Sequence, residues 1–202
     1  MKRVKFAVIS MVSILLAGCS SSISGSATPS PDVNASAPSN VGGTGVPKVA
    51  NPINTARYEQ DPCAALTGEQ LQKLNITTQP KADLSNKLGP DCTWNAFDQI
   101  GLTVGATLLT AGSSLVNLYK LHEQGSFPYF QPVADVSGYP GVLLDDLDAK
   151  PKNMCGMSVA VRDDLIYSVQ VTIDPDKEEA KDPCPVAQKI AEMAVSTMKA
   201  GA

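Results

Sequence analysis

The chain has 202 residues, of which 43% are apolar and 18% are charged, and its formal net charge is −4. This length suits a single domain, and the lack of a basic block argues against nucleic-acid binding, which needs clustered Lys and Arg. His122 is the one histidine of the chain, which excludes multi-histidine zinc sites and a Ser-His-Asp triad built on any other histidine.

The N-terminus has the layout of a secretory signal peptide. Lys2, Arg3 and Lys5 precede an uncharged apolar run over residues 6–16 that is too short to span a bilayer comfortably. Leu16-Ala17-Gly18-Cys19 then forms a lipobox. We therefore predict a lipoprotein signal peptide at 1–18, a diacylglyceryl group on Cys19, and a lipid-anchored protein on the extracytoplasmic face of the cell membrane. The alternative is an ordinary signal peptide or anchor with a chance cysteine.

The segment 19–60 is predicted to be the lipidated cysteine followed by a disordered tether. Of the 41 residues at 20–60, 29 are Ser, Pro, Gly, Thr, Ala or Asn and only four are charged. Such a composition cannot bury a core. The remaining residues, 61–202, are predicted to form one domain.

Four cysteines lie in this domain, Cys63, Cys92, Cys155 and Cys184. An even number of cysteines in an exported chain indicates disulfides. Of the three possible pairings we favour Cys63 with Cys92 and Cys155 with Cys184, because each joins a helix start to a neighbouring strand. Zinc binding is the alternative, but no C-x-x-C pair occurs.

Hydrophobic periodicity predicts the elements of the domain in chain order. A capping box at Thr67 and Gln70 indicates a short first helix. Alternating strands, a second helix, a strand pair and a final helix follow it, at about 92–96, 102–108, 113–124, 155–161, 165–173 and 184–199. The predicted fold class is α+β, an antiparallel sheet with helices packed mainly on one face and two disulfides.

Several short motifs in this order resemble one family. They are the lipobox, Asp61-Pro62-Cys63 with its Leu-Thr-x-Glu-Gln-Leu helix, Cys92-Thr93-Trp94, Gly138-Tyr139-Pro140-Gly141 and the closing Cys184 helix. Together they resemble the actinobacterial cell-envelope lipoproteins of domain of unknown function 3558, which include mycobacterial lipoproteins of the LprB and LprC type. The resemblance covers residues 61–200. It implies an envelope lipoprotein with two disulfides and hands over no catalytic residue.

Aromatic residues gather in one turn-rich segment, residues 125–140, which contains Phe127, Tyr129, Phe130 and Tyr139. Aromatic side chains on a loop are a common binding surface, so these four form the candidate site. Core packing beneath a long loop is the alternative.

Ser196 and Lys199 form an S-x-x-K motif, which is the acylation motif of penicillin-binding proteins. Here it lies at a helix end, whereas acylation needs the serine at a helix start.

No catalytic or metal-binding set is predicted, and neither is a cofactor. The function we expect is therefore a non-catalytic binding or interaction module of the cell envelope, with an envelope protein or ligand as its partner. The alternative is a lipid or glycolipid carrier, which needs an apolar cavity of several hundred Å³. A hydrolase is the third hypothesis, and it lacks a recognisable nucleophile and base.

Overall fold

A computed structural model of the protein describes residues 45–147 and 151–201, which belong to one compact unit. The predicted signal peptide, the predicted lipidation site Cys19 and the predicted tether up to residue 44 lie outside the described residues. Seven strands of the described part form one sheet, with every neighbouring pair antiparallel and the order β1-β2-β3-β7-β6-β5-β4. The α+β class and the antiparallel sheet are thus confirmed.

The strands are β1 (Lys81–Asp83), β2 (Asp91–Ala96), β3 (Leu102–Leu109), β4 (Tyr129–Val136), β5 (Tyr139–Asp145), β6 (Met154–Arg162) and β7 (Leu165–Ile173). The α-helices are α1 (Ala56–Gln60), α2 (Gly68–Lys73), α3 (Phe97–Ile100), α4 (Leu115–Glu123) and α5 (Cys184–Ala200), with short 3-10 helices at Pro62–Ala65 and Glu178–Lys181. The capping box predicted at Thr67 and Gln70 is present at the start of α2.

One face of the sheet, here the first face, carries the main core. Strand register aligns Cys92, Ala106, Val169 and Met157 in one row and Trp94, Val104, Val171 and Cys155 in the next, all of them buried. Helix α5 lies against this face and buries a stripe at helical spacing, Ala187, Ile190, Ala191, Ala194 and Met198. Full burial of each large apolar side chain contributes about 1.5–3 kcal/mol, so this layer dominates the stability of the domain.

Both disulfides have the predicted pairing, Cys63 with Cys92 and Cys155 with Cys184. Each joins residues 29 apart in sequence and ties a helical segment to a strand of the first face. In the chain-entropy model a loop of this length is worth roughly 3–4 kcal/mol.

The opposite face, here the second face, is covered only in part. Helix α4 begins at Ser114, whose hydroxyl accepts a hydrogen bond from the Asn117 amide, and it buries Leu115 and Leu118. The Tyr119 ring meets Phe130 of β4 edge-on, with ring centroids 5.0 Å apart. Most helices pack on the first face as predicted, and α4 is the helix on the second.

The residues just before position 60, which we predicted to belong to the tether, are part of the domain. Val46, Val49, Ile53 and Tyr58 are buried in the core, and the Tyr58 hydroxyl donates to the carbonyl oxygen of Thr197 in α5 at 3.2 Å. The domain therefore reaches back at least to Val46, because isolated apolar residues find partners that composition alone does not reveal.

The aromatic segment 125–140 contains two strands rather than one long loop. Residues 129–136 form β4, and β5 begins at Tyr139. β4 is an edge strand with a register shift between Val133 and Val136. An edge position tolerates Pro132, which lacks an amide hydrogen.

None of the helices in the described part of the chain is long and apolar enough to cross a membrane.

Candidate binding groove on the second face

A row of polar side chains crosses four adjacent strands on the second face. Asp91 of β2 pairs with Thr107 of β3, Thr107 with Ser168 of β7, and Ser168 with Ser158 of β6. Because neighbouring strands lie about 4.8 Å apart, the row is about 14 Å long. Sheet pairing therefore gathers side chains from four distant parts of the sequence.

Hydrogen bonds within the row fix these groups. The Thr107 hydroxyl donates to Asp91 Oδ2 at 2.8 Å, and the Thr93 hydroxyl donates to Oδ1 at 3.4 Å. The Ser158 and Ser168 hydroxyls share a hydrogen bond at 3.0 Å. A carboxylate accepts about four hydrogen bonds, and a hydroxyl can both donate and accept. The row keeps hydrogen-bonding capacity for a further molecule.

The adjacent row contains two glycines. Gly105 of β3 pairs with Gln170 of β7, and Gln170 pairs with Gly156 of β6. A Cβ atom on Gly105 would meet nothing within 4 Å, so the sheet surface is open at this point. The exposed Gln170 amide has no hydrogen-bond partner among the described residues. Leu144 covers Gly156, so the depression lies at Gly105 with the Gln170 side-chain amide beside it.

The two rows form the floor of a cavity, and apolar side chains surround this floor. We call this cavity the polar groove. Its volume is about 280 Å³, near the lower limit of small-molecule sites at ~300 Å³. Leu118 of α4 forms one wall, with Phe127 beside it, and Leu88 before β2 is 57% exposed at the rim. The groove is lined by Leu88, Asp91, Gly105, Thr107, Leu109, Leu118, Phe127, Leu144, Ser158, Ser168 and Gln170.

The four predicted aromatic residues do not form one surface. Phe127 lines the polar groove, and Phe130, with its ring centroid 6.5 Å from that of Phe127, faces the same side. Tyr129 points to the other side of the strand, where its hydroxyl donates to Gln131 Oε1 at 2.8 Å. Tyr139 is buried, and its hydroxyl donates to the carbonyl oxygen of Asn51 at 2.7 Å.

Burial raises the pKa of two of these phenols. For Tyr139, loss of solvent around the hydroxyl is the cause. For Tyr129, burial again comes first, and the negative charge of Asp182 raises the pKa further. Both phenols therefore stay protonated at neutral pH and act as neutral hydrogen-bonding groups.

His122 supports the wall of the polar groove. Its ring stacks on Phe130, with centroids 4.3 Å apart, and Nδ1 donates to the Phe127 carbonyl oxygen at 2.9 Å. These contacts fix the backbone at Phe127. The histidine therefore has a positioning role at this wall.

The S-x-x-K residues anchor a turn. Lys199 Nζ donates to the Ser137 carbonyl oxygen at 2.7 Å, and the Ser137 and Ser196 hydroxyls share a hydrogen bond at 3.0 Å. Ser137 also donates to the carbonyl oxygen of Glu192. The end of α5 thus holds the turn between β4 and β5, which contains Gly138, the first residue of the Gly-Tyr-Pro-Gly motif.

Sequence reasoning missed most of the groove. Asp91, Thr107, Ser168 and Gln170 alternate with core residues, as outward-facing residues of any half-buried strand do. Only the strand order and register show that they meet. Among the described residues, no group of three or more His, Cys, Asp or Glu side chains is placed to hold a metal ion.

The fold and this site define the chain as an α+β domain with one closed and one partly open sheet face. A family model described as protein of unknown function, DUF3558, matches residues 14–197, and the chain belongs to this family. No curated protein and no solved structure matches the chain.

Proposed function

We propose that the protein is an envelope lipoprotein of the actinobacterial LprB and LprC type, anchored on the extracytoplasmic face of the cell membrane through lipid on Cys19. Its domain acts as a non-catalytic binding module. The polar groove is the seat of its ligand.

The observation that carries this proposal is the uneven covering of the sheet. Helix α5 and both disulfides close the first face, whereas α4 leaves the floor around Gly105 open. A concave site with apolar walls and a few convergent polar groups is the usual form of a small-molecule site. The groove combines these features at one place.

The hydrogen bonds of the groove favour binding over catalysis. A serine nucleophile needs an adjacent base, but the Ser158 hydroxyl is bonded to another hydroxyl, that of Ser168. The one carboxylate of the lining, Asp91, is bonded to Thr107 instead. We therefore assign these groups to ligand recognition.

The size of the groove favours a small ligand over a lipid with several acyl chains. Three other cavities along the described residues measure about 240, 310 and 320 Å³. One of these volumes lies below the ~300–1,000 Å³ range of ligand sites, and the other two lie at its lower end. A carrier with a large apolar chamber is the weaker alternative.

The test is native mass spectrometry of the full chain purified from its own membrane in detergent. Gly105→Leu fills the groove, because the added side chain enters empty space. Thr103→Leu is the matched control, since Thr103 lies on the same strand and face but does not line the groove. We expect a bound small molecule whose occupancy falls at least tenfold in Gly105→Leu and is unchanged in Thr103→Leu.

Two outcomes would overturn the proposal. If the wild-type chain carries no adduct, or one that Gly105→Leu leaves intact, the groove is not a ligand seat. If the adduct has the mass of a lipid with several acyl chains, the protein is a carrier instead.

A further inference from the structure

We infer that the polar groove binds a neutral glycosyl unit, with the sugar hydroxyls on the polar floor and an apolar face of the ring against Phe127. This inference rests on the proposed function and names the ligand class of the same site. It follows from the charge, hydrogen-bonding capacity and wall chemistry of the groove.

The charge of the lining excludes anionic ligands first. The groove contains the carboxylate of Asp91 and no Lys, Arg or His side chain. A phosphate or carboxylate placed there would face a negative charge at short range and have no cation to pair with, which is costly away from bulk water. The chain as a whole carries a net charge of −4, which adds to this repulsion.

A neutral ligand fits the floor better than a cation does. Two threonine hydroxyls already donate hydrogen bonds to the Asp91 carboxylate and occupy part of its accepting capacity. The other floor groups, the Ser158–Ser168 hydroxyl pair and the Gln170 amide, are uncharged and can each donate as well as accept. These groups are best paired by a ligand whose neighbouring atoms can each donate and accept hydrogen bonds.

Sugar rings have this character, because each hydroxyl group is a donor and an acceptor. The floor offers a pure acceptor in Asp91, a hydroxyl pair two and three strands away, and a side-chain amide in the adjacent row. The arrangement follows the sheet over about 14 Å. Several hydroxyl groups of one ligand can therefore bind at once.

The wall supplies the apolar contact that a sugar ring also needs. Phe127 is half-buried at the groove, and His122 fixes its backbone by the hydrogen bond at 2.9 Å. An aromatic ring packs well against the C–H groups of a sugar face while the hydroxyls point elsewhere. Leu118 and Leu144 extend this apolar border.

The test is a titration of the full chain in nanodiscs with defined probes, followed by calorimetry and saturation-transfer difference NMR. The neutral probes are maltose, cellobiose and mannobiose. An anionic disaccharide that contains glucuronic acid and the single-chain alcohol decanol are the comparison probes, and empty nanodiscs are the blank. We expect saturable binding of at least one neutral disaccharide and none of the other two probes.

The variants locate the interaction. Gln170→Ala and Phe127→Ala should each weaken disaccharide binding at least tenfold, and Thr103→Leu should leave it unchanged. Gln170 is exposed and has no side-chain partner among the described residues, so this variant keeps its fold. Unchanged affinity in Gln170→Ala would overturn the inference.

The failure of this inference is distinct from that of the proposed function. If no disaccharide binds while the native adduct of the purified chain remains sensitive to Gly105→Leu, the groove is a ligand seat for another chemical class. If the adduct is also missing or insensitive, the proposed function itself fails.

Discussion

At the residue scale, Tyr167 is one of three side chains in the described part of the chain with a buried polar atom that lacks a hydrogen-bond partner. Its side chain is 2% exposed on the first face, and its hydroxyl has no hydrogen-bond partner among the described residues. A buried donor without a partner costs about 1–3 kcal/mol. We therefore expect Tyr167→Phe to raise the free energy of unfolding by about 1 kcal/mol at pH 7, measured by urea denaturation.

The same tyrosine gives a pH dependence with a defined sign. Burial, and then the negative charge of Asp91, raise the pKa of Tyr167 above its ordinary value of 10.0. Below pH 10 the folded and unfolded chains both keep this proton. Above it only the unfolded chain releases the proton, so stability is lost as pH rises. The variant Tyr167→Phe escapes this loss.

The stability difference between Tyr167→Phe and the wild-type chain should grow by about 1.4 kcal/mol for each pH unit above 10. Parallel denaturant titrations from pH 8 to 11.5 measure it. Tyr129→Phe is the comparison variant: burial raises the pKa of that phenol too, but its side chain is only half-buried, so its difference from the wild type should grow less above pH 10. A constant difference across this range would contradict the prediction.

Alanine substitution at two glycines inside strands should change stability in opposite directions. A Cβ atom on Gly141 would lie 2.6 Å from the Ser158 carbonyl oxygen and 2.7 Å from the methyl carbon of Met157. Gly105 has empty space instead. We expect Gly141→Ala to cost about 1–3 kcal/mol by overpacking and Gly105→Ala to gain ~0.5–1 kcal/mol by restricting the unfolded chain. Thermal melts of both variants test this, and equal shifts would show that the sheet adapts at Gly141.

At the scale of elements, the N-terminal segment is part of the core. Tyr58 of α1 is 1% exposed and bonds to α5, whereas Gln60 of the same helix is exposed. We expect Tyr58→Ala to cost about 3–5 kcal/mol, as loss of a buried aromatic ring does. Gln60→Ala should stay within about 0.5 kcal/mol of the wild type. Equal urea midpoints for both variants would contradict the assignment of this segment to the core.

An element can be predicted from the sequence when its hydrophobic pattern is complete within its own residues. Helix α5 and the β6–β7 pair carry a complete apolar period within their own residues, so their positions and partners were predicted. Tyr58 stands almost alone among small and polar residues, and its partners lie in a distant helix. Pro132 suggested a loop, but its place at a sheet edge is a property of strand order.

The candidate site depended on the same long-range information. Phe127 was predicted, because aromatic clustering is visible along the chain. Asp91, Ser158, Ser168 and Gln170 were missed, because each follows the ordinary polar alternation of its own strand. Their meeting on the second face depends on β7 lying between β3 and β6, and no local pattern encodes this order.

At the scale of the whole molecule, the main core and the proposed ligand site lie on opposite faces of one sheet. The first face holds the apolar layer, α5 and both disulfides. The second face holds the polar groove beside α4. Substitutions that alter the groove floor can therefore change binding without opening the main core, which is what the groove variants require.

In the proposed lipoprotein, attachment to the membrane would come from the lipid rather than from the domain. The proposed cleavage before Cys19 would leave 13 Lys and Arg against 20 Asp and Glu, a net charge of −7. Anionic headgroups would repel such a surface, whereas two acyl chains on Cys19 would provide stable anchoring. The apolar run at 6–16 is too short to span a bilayer comfortably by itself.

We therefore expect Cys19→Ala to move the protein from the membrane pellet to the soluble fraction, as measured by immunoblotting after ultracentrifugation. Ser20→Ala is the control, because it alters the neighbouring residue and keeps the thiol that accepts the lipid. A Cys19→Ala chain that still sediments with membranes would contradict lipid anchoring, since the acidic domain offers no electrostatic attraction to replace it.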